Sequence, residues 1–114
     1  MHGSEWLVDG QGCVPAKLSD RASVIAFMDR IVIVMALNVV STVIHDFPDP
    51  GGITALYLLS ESHLTIHTFP ETGIVTLNVY CCTPRTPAPW RELLGELLGA
   101  QKVTVTEHPR GVAL

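Results

Sequence analysis

The stretch Ile53-Thr54-Ala55-Leu56-Tyr57-Leu58-Leu59-Ser60-Glu61-Ser62-His63-Leu64-Thr65-Ile66-His67-Thr68-Phe69-Pro70-Glu71-Thr72-Gly73-Ile74-Val75-Thr76-Leu77-Asn78-Val79-Tyr80 decides the fold. Ile53 to Leu59, Leu64 to Thr68 and Ile74 to Tyr80 are runs of strand length rich in β-branched and aromatic residues, and Pro70-Glu71-Thr72-Gly73 breaks the second from the third. Breaks this short join neighbours, so the sheet is expected to be mostly local and antiparallel. Upstream, Val39 to Phe47 is a fourth such run, ending at Pro48-Asp49-Pro50-Gly51-Gly52, which cannot continue a strand. Before it, Val24, Phe27, Met28, Ile31 and Met35 recur at three- and four-residue steps with Asp29 and Arg30 between them, the spacing of an amphipathic helix. Ser19 or Asp20 is placed to cap its first amides, and Asn38 to stop it. Glu5 to Val8 reads as a short strand entering a turn at Asp9-Gly10-Gln11-Gly12. At the other end Trp90, Leu93, Leu94, Leu97 and Leu98 repeat with helical period, Gly99 suits a C-cap, and Val103 and Val105 alternate with polar neighbours as an edge strand does. The order β-α-β-β-β-α-β predicts an α+β fold: a two-layer α/β sandwich, an antiparallel sheet with two helices on one face.

At 114 residues and 47% hydrophobic, the chain suits a single domain over 1–114 with one small core, and is too short for two. A net charge of −4 with seven Lys and Arg leaves no basic surface to neutralise phosphates, so no nucleic-acid partner is expected. The longest apolar run, Ile31 to Leu37, falls well short of the roughly 20 residues a bilayer requires, so no membrane partner is expected. Met1 to Trp6 lacks the basic and apolar blocks of a secretory signal, which makes a cytoplasmic location the expectation. Three cysteines cannot all pair, and none has zinc-site spacing. With only 16% of residues charged, much apolar surface is left over once the core forms, and a homodimer is expected to cover it.

Chemistry concentrates between Ser60 and Glu71, where Glu61, Ser62, His63, His67 and Glu71 interrupt runs that otherwise read as buried strands. A serine hydrolase is disfavoured, because no G-x-S-x-G elbow surrounds Ser62. A metal site is disfavoured too: His63 and His67 share a strand face but stand about 13 Å apart, so no metal ligand is assigned.

Glu61-Ser62-His63, then Ile66-His67-Thr68-Phe69-Pro70-Glu71, then Val79-Tyr80-Cys81-Cys82 resembles the small prokaryotic S-adenosylmethionine decarboxylases, whose pattern is close to E-S-H-x-x-I-H-T-W-P-E followed by D-V-x-T-C-G. The resemblance is strong from Gly51 to Cys82 and weaker from Asp9 to Glu107. It implies a proenzyme that cuts itself at Glu61-Ser62 into a β chain, 1–61, and an α chain, 62–114, whose first residue becomes a pyruvoyl group derived from Ser62. It implies that His67 assists this processing and that Cys82 returns a proton to the substrate. Proton transfer suits imidazole and an accessible thiol near neutral pH, and a pyruvoyl ketone is an electron sink made from the chain itself. The implied activity is conversion of S-adenosylmethionine to its decarboxylated form for polyamine synthesis, by a homodimer of processed αβ protomers. Substrate binding is implied for Phe47 and Phe69 as stacking faces, for Glu71 as acceptor of ribose hydroxyls, and for Thr54, which with Ser60 is expected to bring a hydroxyl near the processing site. Phe69, Asn78, Cys81 and Thr83 depart from the pattern, where the family has Trp, Asp, Thr and Gly. Relatives of the same fold decarboxylate arginine or ornithine, so a basic amino acid is the alternative substrate. A non-catalytic subunit that pairs with an active homologue is the third reading. Cys13 and Cys81 read as packing residues.

Overall fold

In the computed structural model, which describes residues 2–112, the chain runs β1 (Ser4–Gln11), α1 (Pro15–Leu18), α2 (Arg21–Val34), β2 (Val39–Asp46), β3 (Ile53–Leu59), β4 (Ser62–Phe69), β5 (Ile74–Cys81), α3 (Trp90–Leu98) and β6 (Lys102–Pro109). Met1, Ala113 and Leu114 lie outside the described residues, and with them the ends of the expected domain. The strands form one antiparallel sheet in the order β2-β3-β4-β5-β1-β6. β2 to β5 are consecutive neighbours as short breaks require, while β1 fills the place between β5 and β6. This is the expected α+β sandwich.

Period-two alternation sorts the strands into two faces. Trp6, Val8, Ala55, Tyr57, Leu64, Ile66, Val75, Leu77 and Val79 point to the helices and are buried with Val24, Phe27, Met28 and Ile31 of α2 and Trp90, Leu93, Leu94 and Leu98 of α3. Tyr57 ties the layers together: its hydroxyl donates to Asp29 on α2 at 2.8 Å. Burial, with that carboxylate beside it, pushes the phenol above its ordinary range. Among the described residues, no helix covers the opposite face of the sheet. Leu7, Val43, Leu56 and Leu58 on that face are 43 to 64% exposed, among polar His63, Thr65, His67, Thr76 and Asn78.

The structure corrects several boundaries. β1 does not turn at Asp9 but continues to Gln11, because Gly10 permits a packing distance at which a side chain would meet Val75. A third, one-turn helix, α1, starts at Pro15, and its last carbonyl, that of Leu18, accepts the buried Thr68 hydroxyl at 2.7 Å; Thr68 Oγ1 in turn accepts from the Ile53 amide at 2.9 Å. Asp20 holds the N-cap position of α2, but neither it nor Ser19 caps with its side chain; Asp20 Oδ2 instead accepts from Ser23 at 2.6 Å. That helix ends at Val34 rather than Asn38, through Met35 and a left-handed Ala36, and the Asn38 carbonyl accepts from the Ser60 amide at 2.9 Å. Gly99 terminates α3 with φ 73°, a conformation open to glycine without a steric penalty.

Candidate active site

β3 and β4 are joined at Ser60-Glu61, and the bend sets Ser62 as the first residue of β4 beside Cys81, the last of β5. Register therefore delivers Cys82, the first residue past β5, to Ser62. The Cys82 amide donates to Ser62 Oγ at 2.9 Å, the Ser62 hydroxyl donates to the Glu61 carbonyl, and the Cys82 thiol donates to the same carbonyl. A serine oxygen thus lies against the carbonyl of its own preceding residue, with two donors on that carbonyl's oxygen. Such an arrangement suits an N-to-O acyl shift: Ser62 Oγ in contact as nucleophile, and the Cys82 thiol as the separate donor on the oxygen where negative charge would develop. Alternation separates the two adjacent thiols. Cys81 is buried among core residues, where burial pushes its thiol up, while Cys82 is exposed.

A second group of predicted residues gathers at the opposite end of β4. Phe47, Thr54, His67, Phe69 and Glu71 line one pocket of about 410 Å³, walled by Pro48, Asp49 and Pro50. Thr54 faces His67 across β3 and β4, and its hydroxyl lies 3.0 Å from His67 Nδ1. Thr54 is therefore not beside Ser62, as the sequence suggested, but at the far end of the hairpin; Ser60 does share a small cleft with Glu61 and Ser62. Phe47 and Phe69 are 50% and 40% exposed, which removes them from the core and leaves them as free aromatic faces on the pocket. Phe47 also falls one residue beyond β2, edge-on to His45 at 4.5 Å between ring centres.

Five residues of extended chain separate Ser62 from His67, about 17 Å at the rise of a strand. Within one protomer the structure joins Glu61, Ser62 and Cys82, and separately joins Thr54, His67, Phe47, Phe69 and Glu71, but does not join the two groups.

From the Ser62 end of β4, a polar chain crosses the open face toward β1. His63 Nε2 lies 3.0 Å from Asn78 Oδ1, the Asn78 amide donates to Glu5, and Arg110 pairs with Glu5. The Asn78 bond, aided by Arg110, holds the Glu5 carboxyl below its usual range. Sequence reasoning missed Thr83 and Arg85. Thr83 Oγ1 donates to Glu61 Oε2, and Arg85 pairs with the same oxygen at 3.1 Å.

The family model described as S-adenosylmethionine decarboxylase matches residues 4–111. The chain belongs to the S-adenosylmethionine decarboxylase family. It is 37% identical over 105 residues to a protein of Geobacillus kaustophilus named S-adenosylmethionine decarboxylase proenzyme, a match covering 89% of this chain and 81% of that one. A Clostridium tetani protein of the same name is 35% identical, over 96% of this chain and 87% of that one. Among solved structures, the adenosylmethionine decarboxylase from Aquifex aeolicus superposes with a TM-score of 0.79 at 28% identity, covering 98% of this chain and 92% of that one. Among the described residues, no helix is long and apolar enough to cross a membrane, and no three His, Cys, Asp or Glu side chains gather as metal ligands would.

Proposed function

We propose that this chain is a self-processing proenzyme that cuts itself at Glu61-Ser62, converts Ser62 to a pyruvoyl group, and then decarboxylates S-adenosylmethionine, supplying polyamine synthesis. The observation that carries the reading is the Ser62 hydroxyl seated on the Glu61 carbonyl, with the Cys82 thiol on the same oxygen. The residues present suit a pyruvoyl group: the serine that becomes it, the carbonyl it must attack, and an accessible thiol at its side. Once formed, that ketone supplies the electron sink for loss of carbon dioxide from an amine-bearing substrate. Cys82 holds the proton that the α-carbon needs afterwards. In the pocket, Phe47 and Phe69 offer faces for adenine and for the neighbouring sulfonium, and Glu71 offers a carboxylate to ribose hydroxyls.

If His67 assists at Ser62, the distance along β4 is best met by a second copy. The open face, with Leu7, Val43, Leu56 and Leu58 exposed, suits stacking on another sheet. A two-fold axis near Leu64 and Thr65, midway between Ser62 and His67, runs two copies of β4 antiparallel. It sets each Ser62 opposite His67 of the partner subunit. The homodimer then carries two sites, each built from the processing end of one protomer and the pocket of the other.

Two measurements test this reading. Denaturing mass spectrometry of the purified protein is expected to find a fragment ending at Glu61 and one beginning at a pyruvoyl group that borohydride reduces. Carbon dioxide release is expected from S-adenosylmethionine and not from arginine or ornithine. An uncut chain without a reducible ketone would overturn the enzyme, and release from an amino acid alone would overturn the substrate. Cys82→Ala is expected to slow cleavage by less than about tenfold, since a thiol is a weak donor. Turnover per pyruvoyl-bearing chain is expected to drop about 10²-fold or more with loss of the proton donor. Undiminished turnover would reassign that role.

A further inference from the structure

Thr83 stands where the family pattern has glycine after the cysteine, and Pro84 and Arg85 follow it. Pro84, Pro87 and Pro89 restrict the backbone of the segment from β5 to α3 and present Arg85 to the bend before β4. The guanidinium donates to Thr83 Oγ1 at 2.8 Å, to the Pro84 carbonyl at 3.1 Å and to Glu61 Oε2 at 3.1 Å. Thr83 donates to the same Glu61 oxygen. The Glu61 side chain is thus held twice from one direction, while its carbonyl is held by Ser62 and Cys82 from another. Arg85 shares a small cleft with Glu61 and Ser62, and its Nε is buried with no hydrogen-bond partner among the described residues. A surface ion pair would contribute little. This one is partly buried and grips the residue whose carbonyl must react.

We propose that Arg85, with Thr83, is a positioning residue for self-cleavage, locking Glu61 so that its carbonyl stays against Ser62 Oγ. The inference rests on the self-processing reading. In that reaction Ser62 Oγ bonds to the Glu61 carbonyl carbon as the amide C–N bond breaks and the Ser62 nitrogen takes a proton. Loss of the Ser62 α-proton then breaks its Cβ–Oγ bond and releases Glu61 as a carboxylate that carries the serine oxygen. Water replaces the α-nitrogen as ammonia, leaving the ketone, with no oxidant required. A cation beside Glu61 suits both ends of the sequence. It fixes the starting geometry, and its free Nε offers a donor to the carboxylate that appears.

The test follows the appearance of fragment 62–114 in chains made by cell-free synthesis, sampled over time by denaturing mass spectrometry. Arg85→Ala is expected to slow cleavage at least about tenfold, since small misplacements of a reacting group are expensive. Arg85→Lys, which keeps the charge but not the fork that joins Glu61 to Thr83 and the Pro84 carbonyl, is expected to fall between wild type and Arg85→Ala. Glu61→Gln combined with Arg85→Ala is expected to be no slower than Arg85→Ala alone, as for two members of one contact. In a Ser62→Ala background, Arg85→Ala is expected to lower the melting temperature by no more than about 4 °C, a loss too small to account for the slowed cleavage. Cleavage of Arg85→Ala at the wild-type rate, a Lys variant as slow as the Ala variant, or slowing matched by lost stability would overturn the role of Arg85. A wild-type chain that stays whole would instead overturn the parent reading.

Discussion

Ser62→Ala is expected to yield a folded chain of full length, with no fragment beginning at position 62, no ketone and no decarboxylation. The loss is total because one oxygen does everything: it attacks, it forms the ester, and it departs with Glu61. Nothing at position 61 or 63 substitutes, since Glu61 supplies the carbonyl and His63 is turned away to Asn78. Without the pyruvoyl group the remaining residues bind substrate but have nowhere to send electrons, so activity falls by at least about 10⁶-fold, the lower end of enzymatic acceleration. The fold survives. Two hydrogen bonds are lost, the one the Cys82 amide donates to Ser62 Oγ and the one Ser62 donates to the Glu61 carbonyl, each a change of about 1 kcal/mol at the sheet's accessible end. Size by denaturing electrophoresis, melting temperature and carbon dioxide release together check the result. Cleavage at 61–62 in the Ala variant would remove the serine chemistry altogether.

How much was legible beforehand follows from where the information lies. The sheet was readable because the β-branched and aromatic runs from Ile53 to Tyr80 are local, and a break as short as Pro70-Glu71-Thr72-Gly73 forces neighbours to pair. α3 and its Gly99 cap were readable for the same reason. α1 was not, because four residues carry no period; its last carbonyl accepts from the hydroxyl of Thr68, fifty residues away. The helix stop was misplaced at Asn38 because an αL ending normally selects Gly or Asn, whereas here Ala36 takes that conformation. At the site, the residue types and their offsets were legible through the family pattern, but their arrangement in space was not. Offsets of five and twenty look equally near in sequence. In the sheet, the register brings Cys82 back to Ser62 after twenty residues, while five residues of straight strand carry His67 away. Arg85 and Glu61, 24 residues apart, meet only through that same register and left no local signal.

His67→Ala is expected to slow self-cleavage by about 10² to 10⁴-fold, the usual contribution of a positioned proton-transfer group. The decisive form of the experiment mixes two defective chains. If each site draws Ser62 from one protomer and His67 from the other, a dimer of a Ser62→Ala chain with a His67→Ala chain contains one doubly damaged site and one intact site. The intact site pairs Ser62 of the His67→Ala chain with the histidine of its companion. Co-expression is therefore expected to restore cleavage of the His67→Ala chain, and only of that chain, at close to the wild-type rate within mixed dimers. Different affinity tags on the two chains identify which has been cut. A site built within one protomer gives the opposite result: each chain keeps its own defect, and mixing restores nothing. Leu56→Arg on both chains supplies the control. A charge in the middle of the open face, where Leu56 is 45% exposed beside Val43, is costly to bury between stacked sheets and leaves the helix-covered core untouched. It is expected to shift the protein to monomers by light scattering and to abolish the rescue. Cleavage of the His67→Ala chain that persists in those monomers would show that processing needs no histidine from a partner, and would overturn the shared site.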